Sequence, residues 1–189
     1  MLRPCGPAFR VAVIELAVRG SKMPPSVALV LGSESDLPVI EGAKKVLETL
    51  GVPYQVRILS AHRTPEAARE FARGAAGEGF RVLIGVAGMA AHLPGALSSE
   101  SLLPVLGVPV AAGPLAGVDA LLSIVQMPPG VPVAALGIGP AGALNAALLA
   151  AQILALDDPA LTARIAAERQ KKAAAVLAAD SRLREGSSQ

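Results

Sequence analysis

The sequence predicts an α/β fold in which a parallel five-stranded sheet carries helices on both faces. Five short apolar segments alternate with longer segments whose apolar residues recur at helical spacing. Glycine and proline separate the segments. Strands that alternate with helices form parallel sheets joined by right-handed crossovers. The chain has 189 residues, of which 52% are hydrophobic, so it is long enough to bury one such core.

The predicted strands are apolar and short. The first is a continuous apolar run that ends at Gly32, which is typical of a buried strand. A turn rich in glycine and alanine, residues 87–91, follows the third. In chain order, the five predicted strands span residues 27–31, 54–59, 82–86, 108–111 and 131–136.

The predicted helices begin and end at ordinary capping signals. The first begins at Asp36 and Pro38 and stops at Gly51. The second has Thr64 as its N-cap and Pro65 at its first position. In chain order, the first five predicted helices span residues 36–50, 65–78, 93–102, 118–126 and 140–156.

A last helix is predicted to begin at Asp158 and Pro159. Its candidate buried side chains share an apolar character, and they are Leu161, Ile165, Val176 and Leu177. Glu168 and Lys172 are spaced as an ion pair on its solvated side.

The chain divides into three predicted parts. Residues 1–22 form an N-terminal extension, expected to be disordered. Residues 23–156 form the α/β domain, and residues 157–189 form a C-terminal helix and tail. The extension holds four basic residues and one acidic residue, a net +3, so the rest of the +2 chain carries −1. A misassigned start, with Met23 as the natural one, and a secretory signal peptide are both open for this extension.

Composition excludes several classes of function. Aromatic residues are 2% of the chain, which argues against base stacking on nucleic acid. The single cysteine, Cys5, excludes a disulfide within the chain and a cysteine-cluster zinc site. Residues 120–156 carry no charge, but prolines and glycines break them into pieces too short to span a membrane. We therefore expect no nucleic-acid partner and no membrane partner.

Candidate site residues follow the first three strands. In this fold, ligands bind beyond the carboxyl ends of the strands. Hydroxyl and imidazole groups suit phosphate binding and proton transfer near neutral pH, and arginine suits an anion. The candidates are Ser33, Ser35, Asp36, Ser60, His62, Arg63, Gly88, Ala90 and His92. Taken singly, Ser35 or Asp36 could only cap a helix, and either histidine could be structural.

The absence of several nucleotide-binding and hydrolase motifs excludes further kinds of site. The chain has no Walker A sequence, no G-x-G-x-x-G after the first strand and no G-x-S-x-G. Two histidines in separate loops make a weak case for a metal. What remains is an acid–base site with a phosphate anchor.

Five motifs stand in order in the chain: GSESD at 32–36, SAHRTP at 60–65, AAHLPG at 90–95, SIVQMP at 123–128 and NAALLAAQ at 145–152. Together they closely resemble the catalytic subunits of bacterial phosphoribosylaminoimidazole carboxylase, the class I N5-carboxyaminoimidazole ribonucleotide mutases. The resemblance covers about residues 27–156.

The resemblance implies a flavodoxin-like three-layer sandwich that assembles as a cytoplasmic homo-octamer. It implies a step of de novo purine synthesis, in which the carboxylate on N5 of the ribonucleotide substrate moves to C4 of the ring through released carbon dioxide. It implies no metal, ATP or organic cofactor. A synthetase that makes the N5-carboxylated substrate would be the functional partner.

The resemblance also assigns roles to residues. His62 would be the general acid and base. Ser33, Ser60 and Arg63 would hold the 5′-phosphate, Asp36 the ribose hydroxyls, and Ser35 would line the same loop. Gly88, Ala90 and His92 would close over the imidazole and carbon dioxide.

Two positions depart from the family's usual pattern. Met89 stands where a second glycine is common, and it would be strained if that position needs a positive φ. Pro140 stands where a polar or basic residue is common, which leaves the helix start intact.

Two other functions stay open. One is direct carboxylation of aminoimidazole ribonucleotide with dissolved carbon dioxide. The other is a nucleotide-binding regulator without activity, for which the phosphate anchor would suffice and His62 would be incidental.

Overall fold

The computed structural model describes residues 26–186. The strands in chain order are β1 (Val27–Leu31), β2 (Tyr54–Ile58), β3 (Val82–Gly88), β4 (Val105–Val110) and β5 (Ala134–Ala135). The helices are α1 (Glu41–Thr49), α2 (Pro65–Gly74), α3 (Leu93–Glu100), α4 (Val118–Val125), α5 (Pro140–Ala155) and α6 (Pro159–Gly186), and a 3-10 helix, Glu34–Ile40, precedes α1. The predicted extension, residues 1–22, lies outside the described residues.

The five strands form one parallel sheet in the order β2-β1-β3-β4-β5. The chain runs outward from β1 to β2 and then returns across β1 to β3. Leu31 pairs with Ile58 on one side and with Val86 on the other, so these three strands end close together. A change of direction of this kind leaves a crevice beyond the carboxyl ends of the strands. The predicted fold class is confirmed.

The two faces of the sheet bury separate apolar cores. On β1, Val27, Leu29 and Leu31 face a layer formed by α1 and α5. Ala28 and Val30 point the other way, toward α2, α3 and α4. Every residue of β1 is fully buried, which explains why its sequence is apolar without alternation.

Several element boundaries differ from the predictions. β4 begins at Val105 rather than at residue 108, and α2 ends at Gly74 rather than at residue 78. The predicted first helix begins instead as a 3-10 helix that contains Pro38. The predicted fifth strand shrinks to Ala134–Ala135 at the edge of the sheet. Pro132 has no N–H to give to a ladder, which limits pairing on that edge. The Leu136 N–H still donates to the Gly107 carbonyl at 2.9 Å.

Helix α6 leaves the body of the domain after two turns. Leu161 and Ile165 are buried as predicted, but Val176 and Leu177 are 69% and 67% exposed, so that part of the prediction is wrong for the single chain. Glu168 pairs with Lys171 at 4.0 Å rather than with Lys172. Among the residues described, no helix is both long and apolar enough to cross a membrane.

Candidate active site

One open cavity of about 500 Å³ lies beyond the carboxyl ends of β1, β2 and β3. All nine predicted site residues line it: Ser33, Ser35, Asp36, Ser60, His62, Arg63, Gly88, Ala90 and His92. Three segments far apart in sequence thus meet at the crevice that the strand order creates.

The loop after β1 is closed by a capping box. The Ser33 hydroxyl accepts from the Ser35 N–H at 3.4 Å, and the Asp36 carboxylate accepts from the Ser33 N–H at 3.1 Å. Such reciprocal bonds fix the start of a helix whose free N–H groups favour an anion. The sequence had left Ser35 or Asp36 as the cap, whereas the cap is Ser33.

Asp36 is 7% exposed, and within residues 26–186 it is the one charged side chain classed as buried. Burial raises the pKa of its carboxyl above the ordinary value, while the Ser33 N–H bond and the charge of Arg63 lower the pKa by less. Ionisation of this carboxyl in its buried position in the cavity lining therefore costs electrostatic free energy.

Arg63 ties the loop after β2 to the loop after β1. Its Nη2 donates to the Gly32 carbonyl at 2.7 Å, and its Nε donates to the Ser60 hydroxyl at 3.3 Å. The Arg63 N–H also donates to the same hydroxyl at 3.2 Å. No ion pair to Arg63 occurs in the described part of the chain. Its charge is therefore available to an anionic ligand.

His62 and His92 meet across the cavity. His62 Nε2 lies 2.6 Å from His92 Nδ1, and the two rings are edge to face with centroids 4.7 Å apart. At that separation one nitrogen must donate and the other accept, so a single proton lies between them. The contact occupies Nε2 of His62 and leaves Nδ1 for a substrate. His92 is the N-cap residue of α3, but its side chain makes no capping bond, and its ring contacts His62 instead.

Met89 adopts the left-handed backbone conformation, with φ +55. The condition under which the sequence predicts strain at Met89 is thus met, because a residue with a Cβ is strained in this conformation. Its neighbour Gly88 is tightly packed, because a Cβ on Gly88 would lie 2.9 Å from Cβ of Ala112.

Sequence reasoning missed the contribution of the loop after β4. Ala112 lines the cavity beside Met89 and Leu93. The signal was present, since Ala112 follows a strand of the same sheet as the other candidates do. Asp119 lies in the first turn of α4 and is not among the residues that line the cavity.

The fold and the cavity define an α/β protein with a cavity at the switch point of a parallel sheet, lined by an arginine, two histidines and several hydroxyl groups. A family model described as AIR carboxylase matches residues 26–175, and the chain belongs to that family.

Individual relatives agree with the family match. The N5-carboxyaminoimidazole ribonucleotide mutase of Haemophilus influenzae is 54% identical over 151 residues, which cover 80% of this chain and 92% of the relative. The mutase of Escherichia coli K12 is 54% identical over 142 residues, 75% of this chain and 84% of the relative. The crystal structure of Treponema denticola PurE, 28% identical, superposes with a TM-score of 0.75 over 84% of this chain and 98% of that one.

Proposed function

We propose that the chain converts N5-carboxyaminoimidazole ribonucleotide to 4-carboxy-5-aminoimidazole ribonucleotide in de novo purine biosynthesis, as an isomerase of the mutase type. The observation that carries this function is the 54% identity to named mutases over four fifths of the chain. The described residues provide a cavity at the carboxyl ends of the strands in which an arginine and two histidines meet.

The substrate phosphate would bind between the loops after β1 and β2. Ser33, Ser60 and Arg63 offer hydroxyl and guanidinium donors there, beside the start of the 3-10 helix. Asp36 would accept hydrogen bonds from the ribose hydroxyls, with Ser35 on the same loop. The shared lining of one cavity by these four residues supports this arrangement.

His62 would move the proton. The bond from N5 to the carboxyl carbon breaks, its electron pair stays on nitrogen, and His62 donates a proton to N5. Carbon dioxide is then attacked by C4, and His62 takes the proton that C4 loses. The histidine ends in its starting state, so the reaction is balanced without a co-reactant. His92 would orient the His62 ring through the 2.6 Å contact.

The apolar part of the cavity lining would suit carbon dioxide. It includes Gly88, Ala90, Ala87 and Leu93, which offer no charge to attract water. Excluding water there would limit the escape of a neutral intermediate.

Direct carboxylation of aminoimidazole ribonucleotide is the second candidate, because the matching family is described as AIR carboxylase. One assay separates the two functions. Purified protein is mixed with N5-carboxyaminoimidazole ribonucleotide without bicarbonate, and separately with aminoimidazole ribonucleotide and high bicarbonate. The proposal predicts rapid formation of the C4-carboxylated product in the first mixture. Product in the second mixture alone would contradict the proposal and establish the carboxylase.

Three further features belong to the proposal. The chain would act as a homo-octamer, which would cover part of its apolar surface. It would work in the cytoplasm, next in sequence to the synthetase that supplies the N5-carboxylated substrate. Fractionation of cells followed by the assay above tests the location, and activity confined to the membrane fraction would contradict it.

A further inference from the structure

The hydroxyl group of Thr64 bonds backward along the chain rather than forward into α2. Thr64 is the N-cap residue of α2, as predicted, yet its side chain caps no N–H of that helix. Its ψ is +55, whereas an N-cap residue whose side chain bonds its own helix usually has an extended backbone. The hydroxyl of Thr64 is therefore directed to the loop after β2.

That hydroxyl holds both polar groups of the Ser60 backbone. The Ser60 N–H donates to Thr64 Oγ1 at 2.9 Å, and Thr64 Oγ1 donates to the Ser60 carbonyl at 3.2 Å. The same carbonyl accepts from the Thr64 N–H at 2.9 Å. Because one hydroxyl can accept and donate at the same time, residues 60–64 form a turn that is closed at both polar groups of its first residue.

The side chain of Ser60 is in turn bonded to Arg63. Its hydroxyl oxygen accepts from the Arg63 N–H at 3.2 Å and from Arg63 Nε at 3.3 Å. A serine hydroxyl has two acceptor lone pairs, and Arg63 uses both. The O–H of Ser60 is then left to donate into the cavity that Ser60 lines, which is the role that an anion requires of it.

We infer that Thr64 is a positioning residue of the phosphate site, whose hydroxyl holds Ser60, and through Ser60 the side chain of Arg63, in the arrangement that binds the substrate phosphate. The inference rests on the proposed mutase function. Thr64 is not among the residues that line the cavity, so it acts through Ser60 and Arg63. It fixes the backbone from which the Ser60 hydroxyl extends, and that hydroxyl fixes the guanidinium.

The test compares three single variants. Thr64→Val replaces the hydroxyl by a methyl group, and Thr64→Ser keeps the hydroxyl. Thr162→Val is the matched control, because the Thr162 hydroxyl and N–H both donate to the Asp158 carbonyl, at 3.2 and 3.0 Å, at the start of α6. Thr162 is exposed, as Thr64 is, and it is not among the residues that line the cavity.

Calorimetry gives the Kd of the product, 4-carboxy-5-aminoimidazole ribonucleotide, and the turnover assay gives the KM of the substrate. Thr64→Val should raise both constants by about two- to tenfold, the factor that one neutral hydrogen bond contributes. Thr64→Ser and Thr162→Val should bind as the wild type does. Urea unfolding should show similar losses for the two valine variants, so a loss of stability alone would not separate them.

A double variant shows whether Thr64 acts through Ser60. In a Ser60→Ala background, Thr64→Val should weaken product binding no further, because the hydroxyl that Thr64 positions is gone. A further loss by the same factor is what a merely structural residue would give, and it would overturn the inference.

Two other results would also overturn the role of Thr64. One is unchanged product binding in Thr64→Val, and the other is binding as weak in Thr64→Ser as in Thr64→Val. Both would leave the mutase function intact. No conversion of N5-carboxyaminoimidazole ribonucleotide by the wild type would overturn the mutase function, and the inference with it.

Discussion

At Asp36, burial and ionisation oppose each other. Burial raises the pKa of this carboxyl above its ordinary 3.8. The folded chain therefore binds the proton more readily than the unfolded chain does, so the ionised group costs stability at neutral pH. That cost disappears as the pH falls through the raised pKa and below the ordinary value.

Replacement of Asp36 by asparagine removes the charge and keeps an acceptor for the Ser33 N–H. We expect Asp36→Asn to be at least as stable as the wild type at neutral pH, and the difference to shrink as the solution is acidified toward the ordinary pKa. Urea unfolding at several pH values measures this difference. If the variant is less stable than the wild type at neutral pH and the difference disappears in acid, ionised Asp36 stabilises the fold, and the expected direction is wrong.

The backbone strain at Met89 is expected to lower the free energy of unfolding. A left-handed conformation costs about 1–2 kcal/mol when a Cβ is present. We expect Met89→Gly to exceed Met89→Ala in free energy of unfolding by about 1 kcal/mol, because only glycine relieves the strain.

The matched control is Ala173→Gly, an alanine-to-glycine change at an exposed position in α6. It should lower the free energy of unfolding by about 1 kcal/mol, since glycine is a poor helix former. If glycine is destabilising relative to alanine at both positions, residue 89 is not strained.

The 3-10 helix after β1 depends on its cap. Ser33 accepts from the Ser35 N–H, and the box is completed by Asp36. We expect Ser33→Ala to lower the free energy of unfolding by about 1 kcal/mol and to raise the KM, since the same hydroxyl lines the cavity.

Ser35→Ala is the control for that loop. The Ser35 hydroxyl donates to the Ser33 hydroxyl at 3.0 Å and caps no backbone group in the described structure. Thermal or urea unfolding should therefore show a smaller loss than for Ser33→Ala. An equal loss in both variants would mean that the capping box does not stabilise this element.

The sequence predicts elements well where their burial is complete. All five residues of β1 are buried, and its predicted bounds match the structure. Prediction fails where long-range packing decides the outcome. Val176 and Leu177 have the spacing of a buried helix face, yet α6 extends past the domain that would cover them. The fifth strand is short because the sheet edge and Pro132 limit its pairing.

The molecule as a whole assembles its site from distant segments. The rule that ligands bind beyond the carboxyl ends of parallel strands was sufficient to predict nine residues that line one cavity. It could not give the 2.6 Å contact between His62 and His92, which depends on the relative position of two loops 30 residues apart.

Much apolar surface of the single chain is exposed. On α4, Val118, Leu122 and Val125 are about half exposed and share one helical stripe. Exposed stripes of this kind are typical of surfaces that bind another protein. We expect light scattering to give the mass of eight 19.0 kDa chains. A mass equal to one chain at micromolar concentration would contradict the octamer.

The proposed mutase reaction depends on His62 as the group that moves the proton. The most direct measurement compares the wild type with His62→Asn in the conversion of N5-carboxyaminoimidazole ribonucleotide, with product binding followed by calorimetry. General acid–base catalysis contributes about 10²–10⁴-fold. We predict that kcat falls by at least about 100-fold while the product still binds, because the phosphate anchor is intact. Unchanged turnover in His62→Asn would contradict the account.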